Sequence, residues 1–239
     1  MDFYRWITSN TLFARILKKM PGIRSMPSRL IWEIYGLMSP QSAVAHNAVS
    51  GDENWEIRTQ RDVRAVLKVL HNPQDSRVVD IACGVGRVSH GIAELGANVI
   101  AADISRAMLS HGKKIYPNLR IHWHHISQSG NLSFCESDSI DLVMCWYAFQ
   151  HMEREEVILY LIEAYRILKK GGFVVAEFPL LSDEAHQKMY LTFVKRGYPW
   201  SHARMRWYTK EELFLIFKMV GFSEIKIEGE DESIVYAQK

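Results

Sequence analysis

The stretch Val78-Val79-Asp80-Ile81-Ala82-Cys83-Gly84-Val85-Gly86-Arg87 decides the fold. Val78, Val79 and Ile81 around one acid read as a buried strand. Gly84 and Gly86 read as a turn, and Arg87 as a helix start. Glycines at such a turn let the backbone approach a ligand closely and adopt conformations that a side chain would forbid. A second strand-like run ends in Ala101-Ala102-Asp103-Ile104-Ser105. An acid at the end of that strand can accept hydrogen bonds from both hydroxyls of a ribose. The two segments together predict a nucleoside cofactor in a crevice at the carboxyl edge of a sheet.

Working outward, strand-like and helix-like runs alternate. The β-rich runs are 77–81, 98–102, 119–125, 141–145 and 172–178, with helical stretches near 88–95, 106–115 and 154–168. Val157, Leu161, Ala164, Tyr165 and Leu168 share one face of the last helix, and Lys169-Lys170-Gly171-Gly172 closes it. Before the first strand, Val63, Val66, Leu67 and Leu70 form another helix face, stopped by His71-Asn72-Pro73. This alternation predicts βαβ units in an α/β doubly wound, mostly parallel sheet with helices on both sides. The ending differs. Thr209 and Glu212 form a capping-box pair before Leu213, Ile216, Phe217 and Val220. Two strands follow, 224–227 and 233–237, and so short a connection requires an antiparallel pair.

The chain has 239 residues, 48% apolar, 23% charged and 11% aromatic, enough for one sizeable core and unlike a disordered chain. A net charge of +2 and a pI near 8.4 are too mild for a dedicated nucleic-acid binder, and no nucleic-acid partner is expected. No window approaches the length of a membrane span, and the start does not read as a secretory signal. Cys83, Cys135 and Cys145 lack metal-site spacing and suit a reducing, cytoplasmic compartment. Residues 1–55 read as an N-terminal helical cap over the ligand cleft and 56–239 as the main domain. Residues 3–20 of the cap read as a helix, and the cap's basic, acid-poor start up to Trp32 also suits a peripheral contact with an anionic membrane.

The glycine run separates two nucleoside classes. A dinucleotide fold wants a third glycine to cradle a pyrophosphate, and Ser89 stands where it would be. Asp80 would repel a phosphate but suits an ammonium. S-adenosylmethionine (SAM) has a ribose, an ammonium and no phosphate, which favours it over NAD.

Here the sequence resembles the class I SAM-dependent methyltransferases, from about Asn54 to Lys239. The family's acid-x-Gly-x-Gly-x-Gly is matched by 80–86, with Ala82 replacing the first glycine. Asp103 falls on the ribose acid, and Ser105-Arg106-Ala107-Met108-Leu109 is similar to its usual continuation. Ile140-Asp141-Leu142-Val143, Phe149-Gln150-His151-Met152, Tyr165 to Gly172, Tyr208 to Leu213 and Val220-Gly221-Phe222 resemble later family segments in order and spacing. The resemblance implies a seven-stranded sheet with its last strand antiparallel. It also implies a SAM site made by Asp80, Ala82, Cys83, Gly84, Gly86, Asp103, Ile104, Met108 and Cys145. After strand three the family often has an acid facing adenine, where this chain has Ser127-Gln128.

Methyl transfer from a sulfonium needs an aligned nucleophile, exclusion of water and, for a protonated acceptor, a base. The ends of strands four and five offer His151, Tyr147 and Glu177 as catalytic candidates and Trp146 as an acceptor contact. Tyr147 could instead favour the sulfonium with its ring, and Glu177 could equally be a solvated strand end. The 180–208 segment, rich in aromatics and arginines, is expected to cover the acceptor through Tyr190, Trp200, Arg204 and Arg206. It hints at an aromatic or acidic acceptor. His122, His124 and His125 lack an acid or cysteine at ligand spacing, and no metal is expected. The reading is a methyltransferase acting at O or N of a small molecule. The alternatives are an RNA or protein methyltransferase and a non-catalytic SAM-binding subunit.

Overall fold

The computed structural model describes residues 28–38, 40–41, 53–117, 120–195, 205–229 and 232–239. The expected helix at 3–20, Trp200 and Arg204 lie outside them.

Seven strands form one sheet in the order β3-β2-β1-β4-β5-β7-β6. They are β1 (Arg77–Ile81), β2 (Asn98–Asp103), β3 (Ile121–His125), β4 (Ile140–Cys145), β5 (Leu168–Pro179), β6 (Ser223–Glu228) and β7 (Glu232–Gln238). β1 to β5 run parallel, and β7 lies antiparallel between β5 and β6. Val79 pairs with both Ile100 and Val143, so the carboxyl ends of β1, β2 and β4 reach the same edge of the sheet. That edge is where the chain reverses order, the usual crevice of a doubly wound sheet.

Side chains alternate between two cores, as a strand's period of two requires. Val79, Ile81, Val143, Cys145, Val174 and Phe178 pack on one face with α5 (Arg154–Ile167) and α7 (Lys210–Val220). Val78, Val99, Ala101, Leu142, Met144 and Val175 pack on the other. There they meet α2 (Glu53–Leu67) and α3 (Arg87–Glu94), with α4 (Arg106–Ile115) beside them. Both faces are buried, which explains why β1 and β4 read as nearly continuous apolar runs.

The helix boundary before β5 differs from the expected one. α5 ends at Ile167, and Leu168 is already extended and pairs with Ile140. Leu168 is completely buried, so extending it inserts its side chain into the core. The Lys-Lys-Gly-Gly run therefore sits within a bulged strand start, with Gly171 left-handed at φ 82. At the other end Thr209 Oγ accepts the Glu212 amide at 3.1 Å, and Gly221 closes α7 at φ 112, as the sequence predicts.

Two close approaches position the site. Trp123 of β3 lies against Gly86 and Gly112, where an added Cβ would come within 2.5 and 2.3 Å of its indole. α1 (Ser28–Met38) crosses the start of α4 at Gly36, where a Cβ would meet the Met108 amide at 2.8 Å. The Glu33 carboxylate accepts the Ala107 amide at 3.2 Å, and Ser105 Oγ accepts that of Met108 at 3.1 Å. The first turn of α4 thus has amides that would otherwise lack partners satisfied from its own cap and from α1.

The segment after β5 forms α6 (Glu184–Lys195), whose residues are all at least partly exposed. It returns beside β5: Tyr208 N donates to Pro179 O at 3.0 Å and Arg206 N to Gln150 O at 2.8 Å. Among the described residues no helix is long and apolar enough to cross a membrane.

Candidate active site

A cavity of about 250 Å³ opens at the carboxyl ends of β1, β2 and β4. Ala82, Gly84, Asp103, Ile104 and Met108 line it with Ile126, Ser127, Ser129 and Tyr160. Trp146, Tyr147, His151 and Met152 also line it, together with Ser28, Arg29 and Trp32 of α1.

The loop after β1 is built for close approach. Ala82, Gly84 and Gly86 all adopt left-handed backbones, at φ 56, 57 and 80. That conformation is free for glycine and costs a residue with Cβ about 1–2 kcal/mol. Ala82 carries this strain in the place of the family's first glycine.

Asp103 is the anchored acid. One oxygen accepts the Gly84 amide at 2.9 Å and the other the Ser105 amide at 2.8 Å. Only 6% of the residue is exposed, and it lines the cavity. Burial pushes its pKa up to about 6, against the pull of the Ser105, Gly84 and Ile104 amides. A carboxylate has room for about four hydrogen bonds, so these amides leave capacity for a hydroxyl donor from a ligand.

Asp80 behaves differently. It is 2% exposed, accepts the Ser89 hydroxyl at 2.6 Å and is not part of the cavity wall. Burial raises its pKa to about 7, while the Ser89 hydrogen bond and the Arg87 charge oppose the rise. Its visible work is to tie the end of β1 to α3.

The remaining expected residues divide. Ala82, Gly84, Asp103, Ile104, Met108, Ser127, Trp146, Tyr147 and His151 are brought together around the cavity. Gln128 is exposed and outside the wall, where Ser129 and Tyr160 stand instead. Gly86 lies beneath the loop on Trp123. Cys83 and Cys145 are buried outside the wall, and burial pushes both thiols well up. Glu177 is 2% exposed, so it is no solvated strand end, and its charge acts on Cys145. Arg206 is 9% exposed, and its guanidinium is held by the Glu153 carboxylate, with Nε at 3.1 Å. Tyr190 stacks edge-on against Trp207 at 5.3 Å. Neither Arg206 nor Tyr190 lines the cavity.

Three contributions escaped the sequence reading. Trp32 meets the His151 ring at a centroid distance of 5.4 Å. Tyr160 lines the cavity with its pKa raised to about 12 by burial. Behind Tyr147, Arg61 and Arg87 share the buried Asp62 carboxylate. A buried charge needs a partner, so Arg87 directly after the glycine turn was the available signal. The histidines of β3 go elsewhere: His124 stacks on Phe134 at 3.8 Å and His125 faces Arg29 at 3.5 Å. Among the described residues no group of three or more metal-ligating side chains is placed to hold an ion.

Comparison with known proteins agrees with this geometry. Residues 78–172 match the family described as "Methyltransferase domain". The demethylmenaquinone methyltransferase of Clavibacter sepedonicus is 32% identical over 133 residues, covering 55% of this chain and 50% of that protein. Phosphoethanolamine N-methyltransferase 1 of Caenorhabditis elegans is 24% identical over 155 residues, covering 65% and 31%. The chain spans 50% to 58% of the length of the demethylmenaquinone methyltransferases it matches. Magnesium protoporphyrin IX methyltransferase from Synechocystis PCC 6803, solved with bound SAH (S-adenosylhomocysteine), shares the fold at TM-score 0.66. It is 16% identical, with 88% of this chain and 99% of that one covered. A SAM-dependent methyltransferase from Archaeoglobus fulgidus superposes with TM-score 0.64 at 17% identity, covering 83% and 97%. With its strand order, its glycine turn and the matched segment 78–172, the chain has the fold of the SAM-dependent methyltransferases and contains a methyltransferase-domain segment, which supports SAM as its cofactor.

Proposed function

We propose that this protein transfers the methyl group of SAM to an oxygen or nitrogen of a small, aromatic acceptor. The observation that carries the reading is the cavity itself. Its lining brings together a doubly anchored acid, aromatic and imidazole side chains, and residues of α1. When bound, SAM supplies an electrophilic methyl group on a sulfonium.

Asp103 would accept the ribose hydroxyls, and the loop at Ala82 and Gly84 would approach the amino-acid portion. Ile104, Met108 and Ile126 offer apolar walls for the adenine, with Ser127 and Ser129 at its edge. Trp32, Trp146, Tyr147, His151 and Met152 form the acceptor end, where flat apolar surface favours an aromatic molecule. An acidic acceptor is less well served, because Arg206 is already held by Glu153. Relatives named for demethylmenaquinone and phosphoethanolamine also favour a small molecule over RNA or protein. α1, through Trp32 in the cavity lining, would help exclude water once SAM and the acceptor are bound.

The test uses SAM labelled in its methyl group, incubated with the protein and a cell extract that is then separated by molecular size. Label in the small-molecule pool supports the reading. Label in RNA or protein, or SAM binding with no transfer to any fraction, overturns the small-molecule assignment.

A further inference from the structure

Two guanidinium groups and one carboxylate meet beside the Tyr147 hydroxyl. Asp62, fully buried on α2, accepts Arg61 Nε at 2.9 Å and Nη2 at 2.8 Å, and Arg87 Nη2 at 2.5 Å. Arg87 is 2% exposed. One carboxylate neutralises one of the two cations, so a net positive charge remains beside the phenol, shared between buried Arg87 and Arg61, whose side chain is 39% exposed. Arg61 Nη2 also donates to the Tyr147 hydroxyl. The Arg61 and Arg87 guanidinium carbons lie 5.8 and 5.7 Å from the centre of the Tyr147 ring.

Tyr147 holds a left-handed backbone at φ 56, a conformation that persists only where its surroundings enforce it. The enforced geometry sets the residue in the cavity wall with its hydroxyl against Arg61. Other titratable groups lie nearby. His151, on the turn after β4, packs on Trp32 with Nε2 3.3 Å from the Gln150 amide nitrogen. From β5, Glu177 acts on Cys145.

We propose that Arg61 is a positioning residue for Tyr147. Its guanidinium, outside the cavity lining, fixes the phenol of this cavity-lining residue and favours the ionised form, so Tyr147 is the group that takes the acceptor's proton. This rests on the methyl-transfer reading above. The acceptor O–H bond breaks and its proton passes to the Tyr147 phenolate oxygen. The acceptor oxygen's electron pair forms the new bond to the methyl carbon, and the carbon–sulfur bond breaks with its pair left on sulfur. Tyr147 then returns the proton to solvent.

Tyrosinate absorbance, titrated on the protein without SAM or acceptor, tests the pairing independently of any activity. The difference between wild type and Tyr147→Phe isolates this one phenol. It should ionise below the usual value of about 10, and Arg61→Met should move it up by about one unit or more. Arg61→Lys, which keeps the charge, should restore most of the shift and guards against a fold lost in the methionine variant. Once an acceptor is in hand, Arg61→Met should lower kcat at neutral pH by about tenfold or more, with recovery as pH rises and SAM affinity unchanged. A Tyr147 ionisation at or above the usual value in wild type, or one unmoved by Arg61→Met, overturns the proposal. Either result leaves the methyl-transfer reading intact.

Discussion

The Gly84 amide donates to the Asp103 carboxylate at 2.9 Å, joining two loops 19 residues apart into a single device. The glycine turn does more than make room for a ligand: it holds the Asp103 carboxylate in place. The acid in turn holds the start of α4 through the Ser105 amide. A ligand that engages Asp103 therefore meets a carboxylate whose orientation is fixed before binding, which reduces the entropy lost on association.

Asp103 gives the site a pH dependence with a definite sign. Its pKa is raised to about 6 by burial, and donor hydroxyls favour its ionised form. Affinity for SAM should be highest above that value and fall as pH drops through it. By pH 5 the loss should be about tenfold relative to the plateau. Calorimetric titration across this range checks it, with Asp103→Asn expected to be weak and flat throughout.

Trp32 should matter more to the acceptor than to SAM. Its indole leans on His151 at the acceptor end of the cavity. Trp32→Ala removes that cover, and the acceptor KM should rise by about tenfold while SAM affinity changes by less than about threefold. Steady-state kinetics with each substrate varied in turn would show the split.

Ala82 stores strain that a glycine would not. At φ 56 its Cβ is disfavoured, whereas glycine adopts that region freely. Glycine also adds freedom to the unfolded chain, which offsets part of the gain. Ala82→Gly should therefore stabilise the protein by about 0.5–1 kcal/mol. Urea unfolding of the two proteins measures it.

The buried and exposed ion pairs should differ sharply. Asp62→Asn would strand Arg87, which is 2% exposed, and should cost about 3–5 kcal/mol. Lys68→Ala, in a pair with side chains 57% and 48% exposed, should cost less than about 1 kcal/mol. Thermal melts of both variants provide the comparison.

What the sequence revealed and concealed follows from distance along the chain. The strands of the parallel sheet were legible because both of their faces are buried, so each reads as a short apolar run. The place of Asp103 in the cavity lining was legible because it sits at a strand end. Arg206 was misleading: an arginine among aromatics suggests a ligand, and only the fold brings Glu153 to it from 53 residues away. The Arg61–Asp62–Arg87 cluster was hidden for the same reason, since Arg61 meets Tyr147 across 86 residues. Trp32 was expected only as part of a cover. Its register against His151 depends on Gly36 and Glu33 docking α1 onto α4, which no local pattern encodes.

The central claim is that the crevice beside Asp103 holds SAM. Equilibrium binding of SAH to the wild-type protein and to Asp103→Ala, each shown to melt cooperatively, tests it most directly. Saturable binding by wild type, weakened by about tenfold or more in Asp103→Ala, is the predicted result. No binding by a folded wild type, or equal affinity in the two proteins, would contradict it.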